Sequence, residues 1–207
     1  MERAWVETHL HFLMNNLRPE RAVADIPVFE PTEQFYNLLS EGDEEDLQVA
    51  CCEISKYLKL EPAPVVQYDW GIKMEPEVAG RIMQWDCIIQ IPFAYVGKKL
   101  ALGAIIAHEM THAFLFKIDL VLDDIKENEA FTDLTSIYLG LGKLILNGCI
   151  TTGSDPSHLE ILGYLPPESL GFAYKSVCAL RSVPKKVSTT SLSPEALKII
   201  DSRDDAG

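Results

Sequence analysis

Positive charge is scarce in this chain. Lys and Arg number 18 against 31 Asp and Glu, for a net charge of −13, and such a surface repels a phosphate backbone. Nucleic acid is therefore not an expected partner, and the acidic surplus, partly gathered in EGDEED at 41–46, reads as a solvated surface. Long apolar runs are missing too. No stretch near 18 residues is both apolar and free of charge, so no membrane span or membrane partner is predicted. The opening MERAWVETHLHFLMNN has no basic segment followed by an apolar run and a small-residue cleavage site, and a cytoplasmic location is the expectation. Cysteines are few and unpatterned: Cys51, Cys52, Cys87, Cys149 and Cys178 form no CxxC pair and read as reduced, mostly buried thiols.

What is present suffices for a core. A chain of 207 residues, 47% hydrophobic and 24% charged, is expected to fold as one domain that buries roughly 70% of its unfolded surface without disulfides. Residues 3–17 read as a helix, and Thr32 as the N-cap of a short second one. In DEEDLQVACCEISKYLKL, Leu47, Ala50, Cys51, Ile54 and Leu58 recur at the spacing of one buried helical stripe, with acidic residues in the first turn. After EPAP the period changes. PVVQYDW and DCIIQIPFAYV are rich in Val, Ile, Tyr and Phe and predict a sheet of two or three strands. Pro92 cannot donate to a ladder, so the strand near Ile88–Pro92 is expected to lie at an exposed edge.

From Lys98 to about Lys117 the pattern is helical and apolar almost all round, as in a buried helix. A second long helix is predicted from about Asp124 to Leu146, stopped by Asn147 and Gly148. GCITTGSDPSH reads as loop, PPESLGFAYKSVCALRSV as a helix opened by proline, and the segment from Pro184 as a polar tail with a short helix over Ser193–Ile200. The expected class is α+β, mostly helical, with the small sheet packed on the buried helix. Its parts are N-terminal helices (1–60), the sheet and two long helices (63–146), a helical part (147–183) and the tail (184–207).

The buried helix contains His108-Glu109-Met110-Thr111-His112. Residues four apart share a helix face, so both imidazoles aim at one point, which is the start of a Zn²⁺ site. Glu109, about 100° further round, sits beside that point, where a carboxylate can take a proton from metal-bound water. A catalytic zinc site calls for a third ligand and leaves one position open. The HExxHxxGxxH continuation is absent, because Leu115 and Ile118 stand where its Gly and His would, and this excludes a metzincin-type site. The carboxylates that follow are Asp119, Asp123, Asp124, Glu127, Glu129 and Asp133. Glu129 is preferred, with Glu127 next. Glu129 and Asp133 share a face, so one can bind metal while the other accepts the second ring N–H of a histidine ligand. His9 and His11 alternate on their helix and point apart, which argues against joint ligation.

The HExxH helix, the short connection and the helix carrying NEAFTD resemble, over about residues 84–146, the gluzincin metallopeptidases, the thermolysin-like zincins. In its compactness, and in a strand such as CIIQIPF just ahead of the helix, the chain is also similar to bacterial HExxH proteins of the ImmA and IrrE kind. The resemblance implies a minimal zincin-like domain and zinc-dependent hydrolysis of a protein or peptide substrate. Zinc would be held by His108, His112 and Glu129, with Glu109 as the base. No equivalent of the large upstream β-domain or the downstream catalytic histidine of the thermolysin group is located here by motif. Tyr164, Tyr174 and His158 are the candidates to stabilise the oxyanion. The competing reading is a catalytically silent zinc module or an enzyme activated by a protein partner.

Overall fold

The computed structural model describes residues 3–17, 28–69, 80–83, 87–152 and 159–202. Helix α1 (Arg3–Asn16) buries Val6, Leu10 and Leu13. Thr32 caps α2 (Glu33–Glu41) by accepting the Phe35 N–H, and Gly42 ends it with φ 72°. In α3 (Glu44–Leu58) the Asp43 carboxylate accepts the Asp46 N–H, and Glu44, Glu45 and Asp46 oppose the helix dipole. The stripe of Leu47, Ala50, Cys51, Ile54 and Leu58 is buried as predicted.

Strands β1 (Val65–Asp69), β2 (Arg81–Met83) and β3 (Ile88–Pro92) form one sheet in the order β1-β3-β2. β1 runs parallel to β3 and β2 antiparallel to it, which corrects the expectation of an edge at Ile88–Pro92: β3 is the central strand. Pro92 is tolerated because it is the last residue of the strand, opposite Asp69, where no further ladder bond is needed. Ile89 and Ile91 alternate into the core, and β2 and β3 pack on α4 (Lys99–Lys117). Among the described residues, β2 is the edge strand on the side away from β1.

The second long helix is interrupted. α5 (Ile125–Ser136) passes through a π-type turn at Ile137–Leu141, where Gly140 has φ 99°, into α6 (Gly142–Gly148). Carbonyls released by the break are taken up elsewhere: Leu139 accepts the Tyr57 hydroxyl at 2.8 Å and Gly140 accepts the Phe29 N–H at 3.0 Å. A side chain at this φ is strained, so Gly140→Ala is expected to cost about 1–2 kcal/mol. The urea midpoint should fall with an unchanged slope, and an unmoved midpoint would show that the break is not required.

β4 (Ile150–Thr152) and β5 (Leu159–Ile161) pair antiparallel, and β4 falls in the segment that the sequence predicted to be loop. α7 (Pro167–Leu180) starts with proline in its first turn, α8 (Lys185–Thr189) follows, and Ser193 caps α9 (Pro194–Asp201), close to the expected tail helix. This tail is fastened to the core. The fully buried Lys143 ammonium meets the Glu30 carboxylate and donates to the Val187 carbonyl at 2.7 Å. Asn147 donates to the Ser191 carbonyl and accepts the Ser193 N–H. One continuous apolar core runs from Val6 to Ile199. The fold is mostly helical α+β, with a three-stranded sheet and a two-stranded hairpin. Among the described residues no helix is long and apolar enough to cross a membrane.

Candidate metal centre

α4 and α5 pack against each other, and their facing sides bring His108, His112 and Glu129 together. The entry of α5 is set by Asp124, whose carboxylate accepts the Glu127 N–H at 2.8 Å. Asn128 accepts the Leu122 N–H at 3.0 Å and ties down the connection from α4. The helix phase fixed in this way turns Glu129 toward α4. The other carboxylates considered from the sequence point elsewhere. Glu127 faces α1, taking the Trp5 indole N–H at 3.2 Å and lying 3.6 Å from His9 Nε2. Asp119, Asp123 and Asp124 are exposed.

Three atoms form a nearly equilateral triangle. His108 Nε2 lies 3.0 Å from Glu129 Oε2, His112 Nε2 lies 3.1 Å from the same oxygen, and the two Nε2 atoms are 3.1 Å apart. The other ring nitrogens decide what these atoms carry. Asp133 Oδ1 accepts the His108 Nδ1–H at 2.9 Å. Thr132 gives its single hydroxyl proton to the Asn128 carbonyl at 2.9 Å, so its oxygen, 3.3 Å from His112 Nδ1, accepts that N–H. With Nδ1–H on each ring, the neutral tautomers present both Nε2 atoms as lone pairs. With the Glu129 oxygen, three electron-rich atoms face one another in a buried site, an arrangement that requires a cation.

A proton is the smallest such cation. Burial alone would lower the His108 pKa, but hydrogen bonds to Asp133 and Glu129 reverse this and hold it well above the ordinary value. Burial would raise the Glu129 pKa, and its hydrogen bonds to His108 and His112 override that, holding it down at about 2. A metal ion answers the same field with more ligands. Tetrahedral zinc, with bonds of about 2.0–2.1 Å, sets its ligand atoms about 3.3–3.4 Å apart. The triangle fits this after opening by a few tenths of an ångström, and two imidazoles with one carboxylate are a donor set zinc accepts.

Glu109 is 4% exposed and stands off the triangle. Burial raises its pKa, the two histidines lower it in part, and the Ile82 backbone N–H hydrogen-bonds to it. Gly80 makes this approach possible, since a Cβ there would lie 2.9 Å from Glu109 Oε1. Two cavities flank the centre, of ≈ 370 and ≈ 390 Å³, and Gly80, Glu109 and Tyr164 line both. The two cavities adjoin at these residues, on either side of the centre, and together are called the cleft.

Asp133 does more than orient His108. Its Oδ2 accepts the N–H groups of Tyr164 at 2.6 Å and Leu165 at 3.0 Å, drawing the 163–165 segment over the site. Gly163, with φ 101° and space for a Cβ only 3.1 Å from Asp133 Oδ2, is the residue this turn accepts. The Tyr164 ring then stacks over His108 with centroids 5.8 Å apart. Tyr164 is thus placed at the centre. Tyr174 is not: it is buried on α7, donates to the Ser188 carbonyl at 2.7 Å and is absent from the lining of both cavities, which removes it from the candidates. His158 lies outside the described residues. Sequence reasoning missed Thr132, Gly80 and Gly163. Thr132 was within reach, because residues 129, 132 and 133 share a helix face. No family model, curated protein or solved structure matches the chain.

Proposed function

We propose that this chain is a zinc-dependent peptidase acting on protein or peptide substrates. The observation that carries the reading is the convergence of His108 Nε2, His112 Nε2 and Glu129 Oε2, at 3.0–3.1 Å, beside the buried Glu109 carboxylate. A zinc ion held there would supply a Lewis acid and a water of lowered pKa. Hydrolysis breaks the C–N bond, the water's hydroxyl going to the carbonyl carbon and its proton to the amine. Glu109 is placed to carry that proton, and burial, by raising its pKa, suits it to hold the proton briefly before passing it on. Tyr164, at the mouth of both cavities, is the hydroxyl nominated to meet the developing oxyanion.

The substrate's path follows the corrected sheet order. Among the described strands β2, rather than β3, lies at the edge, and its Arg81 and Ile82, with Gly80, wall the cleft. An extended peptide adding to that edge would cross the centre. The cleft runs on to either side of the triangle, which favours cutting within a chain over trimming its end. A purely structural zinc site would be closed by a fourth protein ligand and needs neither Glu109 nor the cavities. A cytoplasmic location belongs to the same proposal, since the five cysteines are free thiols, as a reducing compartment keeps them.

The test is zinc content together with digestion of an unstructured protein. The expected result is about one zinc per chain, cleavage detected as new termini by mass spectrometry, loss of cleavage on chelation and recovery on adding zinc. Equal cleavage by the metal-free chain, or none by the zinc-loaded one, would overturn the proposal.

A further inference from the structure

The two halves of the cleft carry opposite chemistry. The ≈ 390 Å³ side has Arg81 and Lys126 in its lining. The ≈ 370 Å³ side has no lysine or arginine among the described residues: Tyr95, Ala104, Ile105, Ile145 and Leu162 make an apolar wall, and Glu160 joins it from β5. The Glu160 charge reaches across to the Tyr95 hydroxyl, whose pKa is raised first by burial and then by that carboxylate. A divalent cation at the centre would be matched by the Glu129 and Asp133 carboxylates around it, which leaves Glu160 as the anionic group of this wall. The net charge of −13 adds an attractive field for cationic segments.

We infer that this cavity takes a side chain with an apolar stem and a cationic head, lysine or arginine, beside the scissile bond, and that Glu160 is the specificity-determining residue that receives the head. The inference rests on the peptidase reading for its reaction, but the cavity can be probed without turnover. The stem lies along Ile105, Ile145 and Leu162, where burial of methylenes is favourable, and the charge stays near the mouth, where Glu160 is exposed and the head keeps part of its water. An exposed pair of this kind supports a preference of about fivefold over an uncharged stem of the same length. An acidic side chain reaching the same wall meets the like charge of Glu160.

The experiment uses a library of ten-residue peptides randomised at the six central positions. One arm exposes it to the zinc-loaded wild-type chain and reads cut sites by mass spectrometry; the other captures it on immobilised, zinc-loaded Glu109→Gln protein. Lysine and arginine should be enriched about fivefold at one position flanking the cut and in the captured pool. Glu160→Gln should flatten that enrichment, and Glu160→Lys should shift it to aspartate and glutamate. Cutting without basic enrichment, or an unchanged profile in Glu160→Lys, would overturn the pocket assignment and leave the peptidase reading intact. Basic enrichment in the captured pool, reversed by Glu160→Lys but with no peptide cut, would do the opposite. No cutting and no enrichment would overturn both.

Discussion

Glu109→Gln should retain about one zinc per chain and lose cleavage by about 10²–10⁴-fold, the range general acid–base catalysis supplies. Retention follows from geometry: Glu109 is outside the triangle of ligand atoms, and the amide is close in shape to the carboxylate it replaces. Its oxygen can still accept the Ile82 N–H, and it still fits against Gly80. Folding should not suffer either, since the group is buried and burial already disfavours its charge. The variant thus isolates proton transfer from metal binding. Metal analysis, a peptide cleavage assay and a thermal melt read the three quantities separately. Cleavage within about tenfold of wild type would remove Glu109 from the reaction.

Glu129→Ala should weaken zinc binding by more than about 100-fold, beyond the 10- to 100-fold typical of partners that only orient a ligand. The variant leaves two imidazole nitrogens 3.1 Å apart with the anionic corner of the triangle missing. Glu127→Ala is the matched control. Its carboxylate serves Trp5 and His9 on α1, so it should keep its zinc while α1 loosens. Competition with a chelator of known affinity gives both numbers. Equal losses in the two variants, or retention in Glu129→Ala, would refute the ligand assignment. Asp133→Asn should fall between them, since it keeps the shape but can present an amide N–H to His108, turning the ring toward the wrong tautomer.

The site's framework was legible because it is local. His108, Glu109 and His112 are fixed relative to one another by a single helix, and Glu129 with Asp133 by another, so spacing alone orders them. The α3 stripe was legible for the same reason. What failed was non-local or set by one torsion. Strand order is decided by pairing across the chain: β2 sits beyond β3, and nothing within CIIQIPF reveals a neighbour on that side. The break at Gly140 depends on one positive φ and on carbonyl partners, Tyr57 and Phe29, far away in sequence. β4 and β5 are too short for alternation to show. Tyr174 and Tyr164 looked equivalent as sequence, and only packing separates them, one tied to Ser188 in the core and the other turned to the cleft by Asp133.

The Asp133 carboxylate has one oxygen on the His108 ring and the other on the backbone of Tyr164 and Leu165. Ligand ring and roof therefore hang from a single two-armed hinge pin. Thermodynamic reciprocity then applies: whatever factor metal capture contributes to seating the roof, a molecule pressing on the roof contributes to metal capture. If zinc binds as proposed, a ligand that shifts this roof would change the zinc affinity without touching the ion.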